Sequence, residues 1–122
     1  MDIEKAKKGT LRVSQNVIIT ITKNAALEVE GVSRIAVRSL DIMKLFSSKL
    51  DNSLINIEML DGVAKISLSI VVLSGYNVMS VCEQIQEKVK SAVQSMTGVT
   101  VSKVNVSVVD VDFPAGSAEE NS

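Results

Sequence analysis

Apolar residues recur at helical spacing early in the chain. Val17, Ile18, Ile21, Ala25 and Val29 line one face of a segment from about Gln15 to Glu30. Ser14 stands where a capping hydroxyl accepts from unpaired first-turn amides, and Val13 and Ile18 occupy the two positions of a hydrophobic staple. Gly31 supplies a stop, with Val32 returning to the core. The β-branched run Thr20-Ile21-Thr22 offers a strand through Val17 to Ile21 as a competing reading; cap, stripe and stop together favour the helix. A second helix follows the same logic. Its stripe is Val78, Cys82, Ile85, Val89, Ala92 and Met96, widened by Val81 and Val93. Asn77 is its cap, Tyr76 and Val81 its staple, and Gly98 its stop.

Between the helices the period changes from helical to alternating. Ile55, Ile57 and Met59 alternate with Asn56 and Glu58, and beyond Asp61-Gly62 the residues Ala64, Ile66, Leu68, Ile70 and Val72 alternate with Lys65, Ser67 and Ser69. Asp-Gly is the two-residue hairpin turn, because both positions need positive φ. It sets Leu60 opposite Val63, Met59 opposite Ala64, Glu58 opposite Lys65 and Ile57 opposite Ile66, with every apolar pair expected on one face and opposite charges facing each other. A last strand runs from about Val101 to Phe113. Val104, Val106 and Val108 share one phase while Val109, Val111 and Phe113 share the other, and a bulge near Val108 and Val109 would reconcile them; burial of the far half on both sides is the alternative.

Two stretches complete the order: a short first strand at Thr10 to Val13, and a short helix begun by Ser39 and carrying Ile42, Met43, Leu45, Phe46 and Leu50. The expected fold class is α+β and two-layer. Two main helices pack on one face of a three- to four-stranded mixed sheet, in βαββαβ-like order with an extra short helix. The crossover through the second helix makes the last strand parallel to the hairpin's second strand. Residues 1–9 read as a flexible N-terminus, 10–113 as a single domain and 114–122 as a flexible tail.

Composition narrows the chemistry. The 122 residues are 46% hydrophobic and 22% charged, with no His, no Trp and one Cys. Imidazole catalysis, His-containing zinc sites and intramolecular disulfides are excluded. The longest charge-free run, Ile66 to Cys82, is broken by Gly75, Tyr76 and Asn77 and is too short for a membrane helix; no secretory signal pattern is read at the start. Net charge of −1 argues against nucleic acid. So does the expected outer sheet face of Asn56, Glu58, Lys65, Ser67, Ser69, Lys103, Asn105 and Ser107, which carries no aromatic side chain for base stacking. Cys82 sits within a helical stripe and reads as a small hydrophobe rather than a nucleophile. Asp110 and Asp112 form the one acid pair to nominate, and they read as solvated. The glycines never approach a phosphate-cradle spacing. No catalytic, cofactor-binding or metal-binding residue is assigned.

Several strings carry a resemblance. Ala25-Ala26-Leu27-Glu28-Val29-Glu30-Gly31-Val32 closes the first helix; Ile85-Gln86-Glu87-Lys88-Val89-Lys90, Met96-Thr97-Gly98-Val99 and Val104-Asn105-Val106 follow in order. Together they resemble the alkaline-shock protein family of Gram-positive bacteria, also called the envelope stress response family, over roughly Gly9 to Phe113. The resemblance implies a non-enzymatic cytoplasmic protein of cell-envelope homeostasis and alkaline or cell-wall stress. It also implies self-association and tethering at the inner face of the membrane through a membrane-anchored partner, without direct membrane insertion. The segment Ser33 to Leu50 departs from glycine-rich relatives, with Arg34, Arg38 and an apolar run.

The leading expectation is therefore a scaffold or adaptor. Its candidate interaction surface is Val71 and Leu73, out of phase with their strand's core residues and grouped with Val63, together with Arg34, Arg38 and Phe46. The alternative is a regulatory or accessory subunit of a cytoplasmic enzyme, docking through Arg34 to Leu50.

Overall fold

The computed structural model describes residues 13–37 and 54–113. Its elements in chain order are α1 (Gln15–Leu27), β1 (Val32–Ile35), β2 (Ile55–Leu60), β3 (Val63–Leu73), α2 (Val78–Thr97) and β4 (Thr100–Asp112). The fold is α+β, with both helices on one face of a mixed sheet. The expected short helix at 39–50 and most of the expected Thr10–Val13 strand lie outside the described residues. Val13 itself precedes α1 and is half-buried against the core.

The central strand is β3. Along one edge it pairs with β4 in parallel over its whole length; along the other it pairs antiparallel with β2 through Val63–Leu68 and with β1 through Ile70–Val72. β1 and β2 thus lie end to end on one edge, and a single residue position joins them. Opposite Ser69, Ala36 donates its amide (2.9 Å) while Leu54 offers its carbonyl (3.0 Å), and Leu54 N closes the break by donating to Ala36 O at 2.7 Å. The chain between Ala36 and Leu54 is an insertion into what is otherwise one edge strand.

The hairpin has the expected register, Leu60 opposite Val63 through Ile57 opposite Ile66. Asp61 (φ 52°) and Gly62 (φ 77°) both take the positive φ that such a turn demands. One detail differs. Leu60 and Val63 fall on the outer face with Glu58 and Lys65, because adjacent pairs alternate in direction, and Leu60 is 74% exposed. The last strand is parallel to β3 and skips Val109 between Ile70–Val108 and Val71–Asp110, so the phase break is resolved by a bulge where it was expected. A second irregularity skips Ser102.

β1 is a strand that periodicity did not reveal. Its four residues carry their own bulge, Ser33, between the Val32 and Arg34 pairs, so no alternation survives to be read. Both helices start at their expected caps, with Ser14 Oγ accepting from Val17 N (3.3 Å) and Asn77 Oδ1 from Ser80 N (3.0 Å). α2 stops at Gly98 as expected, but α1 ends at Leu27 with Glu28 as a right-handed C-cap, so Val29 and Glu30 lie beyond it and Gly31 is not its stop. The buried faces of both helices are rotated from the expected stripes. In α2 the buried row is Val81, Ile85, Val89 and Val93, with Val78 and Met96 exposed and Cys82 and Ala92 half-buried on the flanks. In α1 Val17 is exposed, and Ile18, Ile21, Thr22, Ala25 and Ala26 are buried.

The core lies between helices and sheet. Ile18, Ile21 and Ala25 of α1 and the buried row of α2 close over Ala64, Ile66, Leu68, Ile70 and Val72 of β3, flanked by Ile55, Ile57, Val101 and Val104. Gly31 makes the sharpest contact of this layer. Its φ is +100°, and a Cβ there would stand 2.8 Å from Val81 Cγ2 and 2.9 Å from the Tyr76 ring, so only glycine lets the chain leave α1 this close to the start of α2. Tyr76 is fixed from its other end by donating its hydroxyl to Glu30 (3.2 Å). The negative charge of Glu30, together with that hydrogen bond and some burial, pushes the phenol's pKa up.

Candidate functional site

Among the described residues no helix packs on the outer sheet face. Its central rows are Glu58–Lys65–Lys103 and Asn56–Ser67–Asn105, charged and polar side chains brought level by the β2–β3–β4 register. Asn105 Nδ2 donates to Ser67 Oγ at 3.4 Å. Towards the β1 end the face changes character. Arg34 and Asp110 flank Val71, and Asp112 stands beside Leu73. The bulge at Ser33 turns both Ser33 and Arg34 towards Asp112, whose Oδ2 accepts from Ser33 Oγ at 2.7 Å and from Arg34 Nε at 3.2 Å. This bridge crosses β3 at Val71 and Leu73 and ties the two outer strands together. The Ser33 hydrogen bond, with the bond and charge of Arg34 behind it, holds the Asp112 carboxyl below the usual carboxylate range despite some desolvation.

The expected interaction residues are therefore placed unevenly. Val71 is 1% exposed and offers no surface to a partner. Leu73 and Val63 are half-buried, at opposite ends of β3. Arg34 is exposed and held by Asp112. Arg38 and Phe46 lie outside the described residues.

The possible chemistry is also located. Cys82 is half-buried, and desolvation pushes its thiol up, away from a reactive thiolate. Asp110 and Asp112 are separately engaged, Asp110 by accepting from Val111 N (2.8 Å) and Asp112 in the bridge. Among the described residues no group of three or more acidic or Cys side chains is arranged to hold a metal. On the helix side an open groove of ≈ 620 Å³ runs between the end of α1 and α2. Glu28 and Glu30 stand on one side, Glu87 and Lys88 on the other, and the Lys88–Glu28 ion pair spans it at 3.3 Å.

The remaining surface is the free edge of β4. Among the described residues no strand pairs with it, and its far end exposes Val109 (56%) and, just beyond, Phe113 (64%). The β4 bulge is legible in the sequence and the bridge is not, because Arg34 and Asp112 are 78 residues apart and no local pattern connects them.

Comparison with known proteins gives the chain a setting. The model of the ASP23 family, described as having a cell envelope-related function, matches residues 3–113. The chain belongs to this family. Membership of the ASP23 family agrees with the resemblance carried by the strings of α1, α2 and β4. An uncharacterized protein of Bacillus subtilis (strain 168), YqhY, is 23% identical over 120 residues, covering 98% of this chain and 89% of YqhY. Among solved structures, a MamM CTD variant superimposes with a TM-score of 0.52 at 15% identity, covering 81% of this chain and 100% of that one. The copper form of another MamM CTD variant gives the same 0.52, 15%, 81% and 100%. At that identity the likeness is one of fold. No helix among the described residues of this ASP23-family chain is long and apolar enough to cross a membrane.

Proposed function

We propose that this chain is a non-catalytic adaptor of the cell envelope that self-associates and docks to a membrane-anchored protein. The observation that carries the reading is the family match across residues 3–113, with its cell envelope-related function. The distribution of surface supports it: a long β4 edge with which no strand among the described residues pairs, and an outer face crossed at one end by the Ser33/Arg34–Asp112 bridge. We place partner docking at that end, through Arg34 and Leu73, and through Arg38 and Phe46 in the inserted segment between Ala36 and Leu54. Self-association belongs to β4.

In-cell cross-linking followed by membrane fractionation tests the reading. It predicts one cross-linked species with two copies of the chain and another that includes an integral membrane protein and needs detergent for release. Recovery only with the subunits of a soluble enzyme would replace the adaptor with a regulatory subunit.

A further inference from the structure

A central strand alternates its backbone groups between its two neighbours. In β3, Ser69 exchanges hydrogen bonds with Ala36 and Leu54 (2.9 and 3.0 Å), and Leu73 N donates to Gly31 O (2.8 Å). The odd-numbered residues of β3 therefore serve the β1/β2 side and the even-numbered ones serve β4. In the parallel register Ala64, Ile66, Leu68, Ile70 and Val72 stand opposite Val101, Val104, Val106, Val108 and Val111. A residue in a parallel ladder bonds to the two neighbours of its partner, not to the partner itself. These five valines thus direct their amides and carbonyls to the free edge. Other bonds agree. Val101 N is taken by Gln94 Oε1 (3.0 Å) and Val104 O by Gln86 Nε2 (3.2 Å), both from α2, whereas Asp112 O, of the inward set, accepts from Ser74 N on β3's side (2.8 Å).

The outward positions are symmetric about Val106: Val104 and Val108 lie two residues to either side, Val101 and Val111 five. Two bulges create the symmetry, at Ser102 and Val109. One bulge alone would put the two ends out of phase. We infer that β4 pairs antiparallel with β4 of a second copy, about a two-fold axis at Val106. In that register Val106 meets Val106, Val104 meets Val108 and Val101 meets Val111, all with bonding groups directed at each other. The bulged stretches face one another, which sets Lys103 of each copy beside Asp110 of the other. Both are exposed, and among the described residues neither has an ion-pair partner within the chain. The central bonds leave Gln86 in place, because the Val104 carbonyl has a second lone pair; the Val101–Val111 pair requires Gln94 to release its amide. Met79, two turns before Gln86 on the same face of α2 and 70% exposed, adds an apolar group on the side of the helix above this edge. An isologous contact of this kind closes as a dimer with a continuous sheet.

This interface rests on the self-association proposed above, and one experiment separates the two. Sedimentation equilibrium of the full chain is compared with Lys103→Asp, Asp110→Lys and the double variant, with circular dichroism confirming the fold of each. Each reversal turns two attractive contacts repulsive, so each single variant should associate roughly tenfold more weakly and the double variant should recover. Single variants that associate like wild type, or a double variant that stays weak, overturn the β4 register while self-association stands. A wild-type chain that is monomeric at every concentration overturns both.

Discussion

Thr22 is fully buried in α1, and its hydroxyl finds no hydrogen-bond partner among the described residues. A buried, unpaired polar group costs free energy in place of contributing it, whereas the isosteric valine keeps the shape, the β-branch and the packing. Thr22→Val should therefore raise stability by about 1 kcal/mol in chemical denaturation; a less stable variant would mean that the hydroxyl is bonded after all. The same residue shows what spacing along the sequence leaves out. Ile18, Ile21 and Ala25 were legible as core from their spacing, but Thr22 and Ala26 were not, because a polar or small residue gives no hydrophobic signal even when packing encloses it. Val71 is the converse case. Its phase along β3 marked it as outward-facing, which is correct, yet it is buried at a bridge made by Ser33, Arg34 and Asp112, residues that only the three-dimensional register brings together.

Among the elements, those with strict periods were readable and those interrupted by bulges were readable only when long. The β2–β3 hairpin followed from Asp61-Gly62 and an unbroken alternation, and the break in β4 was visible because several valines stood on each side of it. β1 has four residues and a bulge, so nothing remained to count. In α2 two apolar rows overlap, and spacing put Cys82 in the stripe with Val81 at its margin; packing against the sheet selects Val81. The joint between β1 and β2 carries a consequence. Ala36 and Leu54 share one position opposite Ser69, so deletion of 37–54 should leave Ala36 making both bonds and Ile55 still opposite Leu68. We expect the deleted chain to melt cooperatively and to lose the membrane-anchored partner. Loss of the cooperative transition would show that the inserted segment is part of the core. The Asp112 bridge gives a pH signature. The carboxyl is lowered from its ordinary 3.8, so its stabilising effect is present above that value and is lost as pH falls through the lower folded-state value. Asp112→Asn should flatten this part of the acid limb in melts taken between about pH 5 and pH 2; an unchanged acid limb would remove the bridge from the account.

At the scale of the whole molecule, the helices use one sheet face for the core, and no described element packs on the other. Among the described residues the outer face is polar in the middle and tied at the β1 end by the Asp112 bridge, and the edge of β4 is paired with no strand and hydrogen-bonded to α2 only through Gln86 and Gln94. Edges in monomeric proteins are commonly blunted by bulges and charges. Here the two bulges make the outward-directed positions symmetric about Val106, and Lys103 and Asp110 stand where a second copy would present the opposite charge. The family's cell envelope-related function and this geometry meet in one claim, that the chain works as an assembled adaptor. A short bis-maleimide applied to Val106→Cys in a Cys82→Ser background tests it most directly, with Asn56→Cys on the far edge as the control. The account predicts a covalent dimer from position 106 and none from position 56. Equal cross-linking at both, or none at 106 from a chain that sediments as an oligomer, would contradict it.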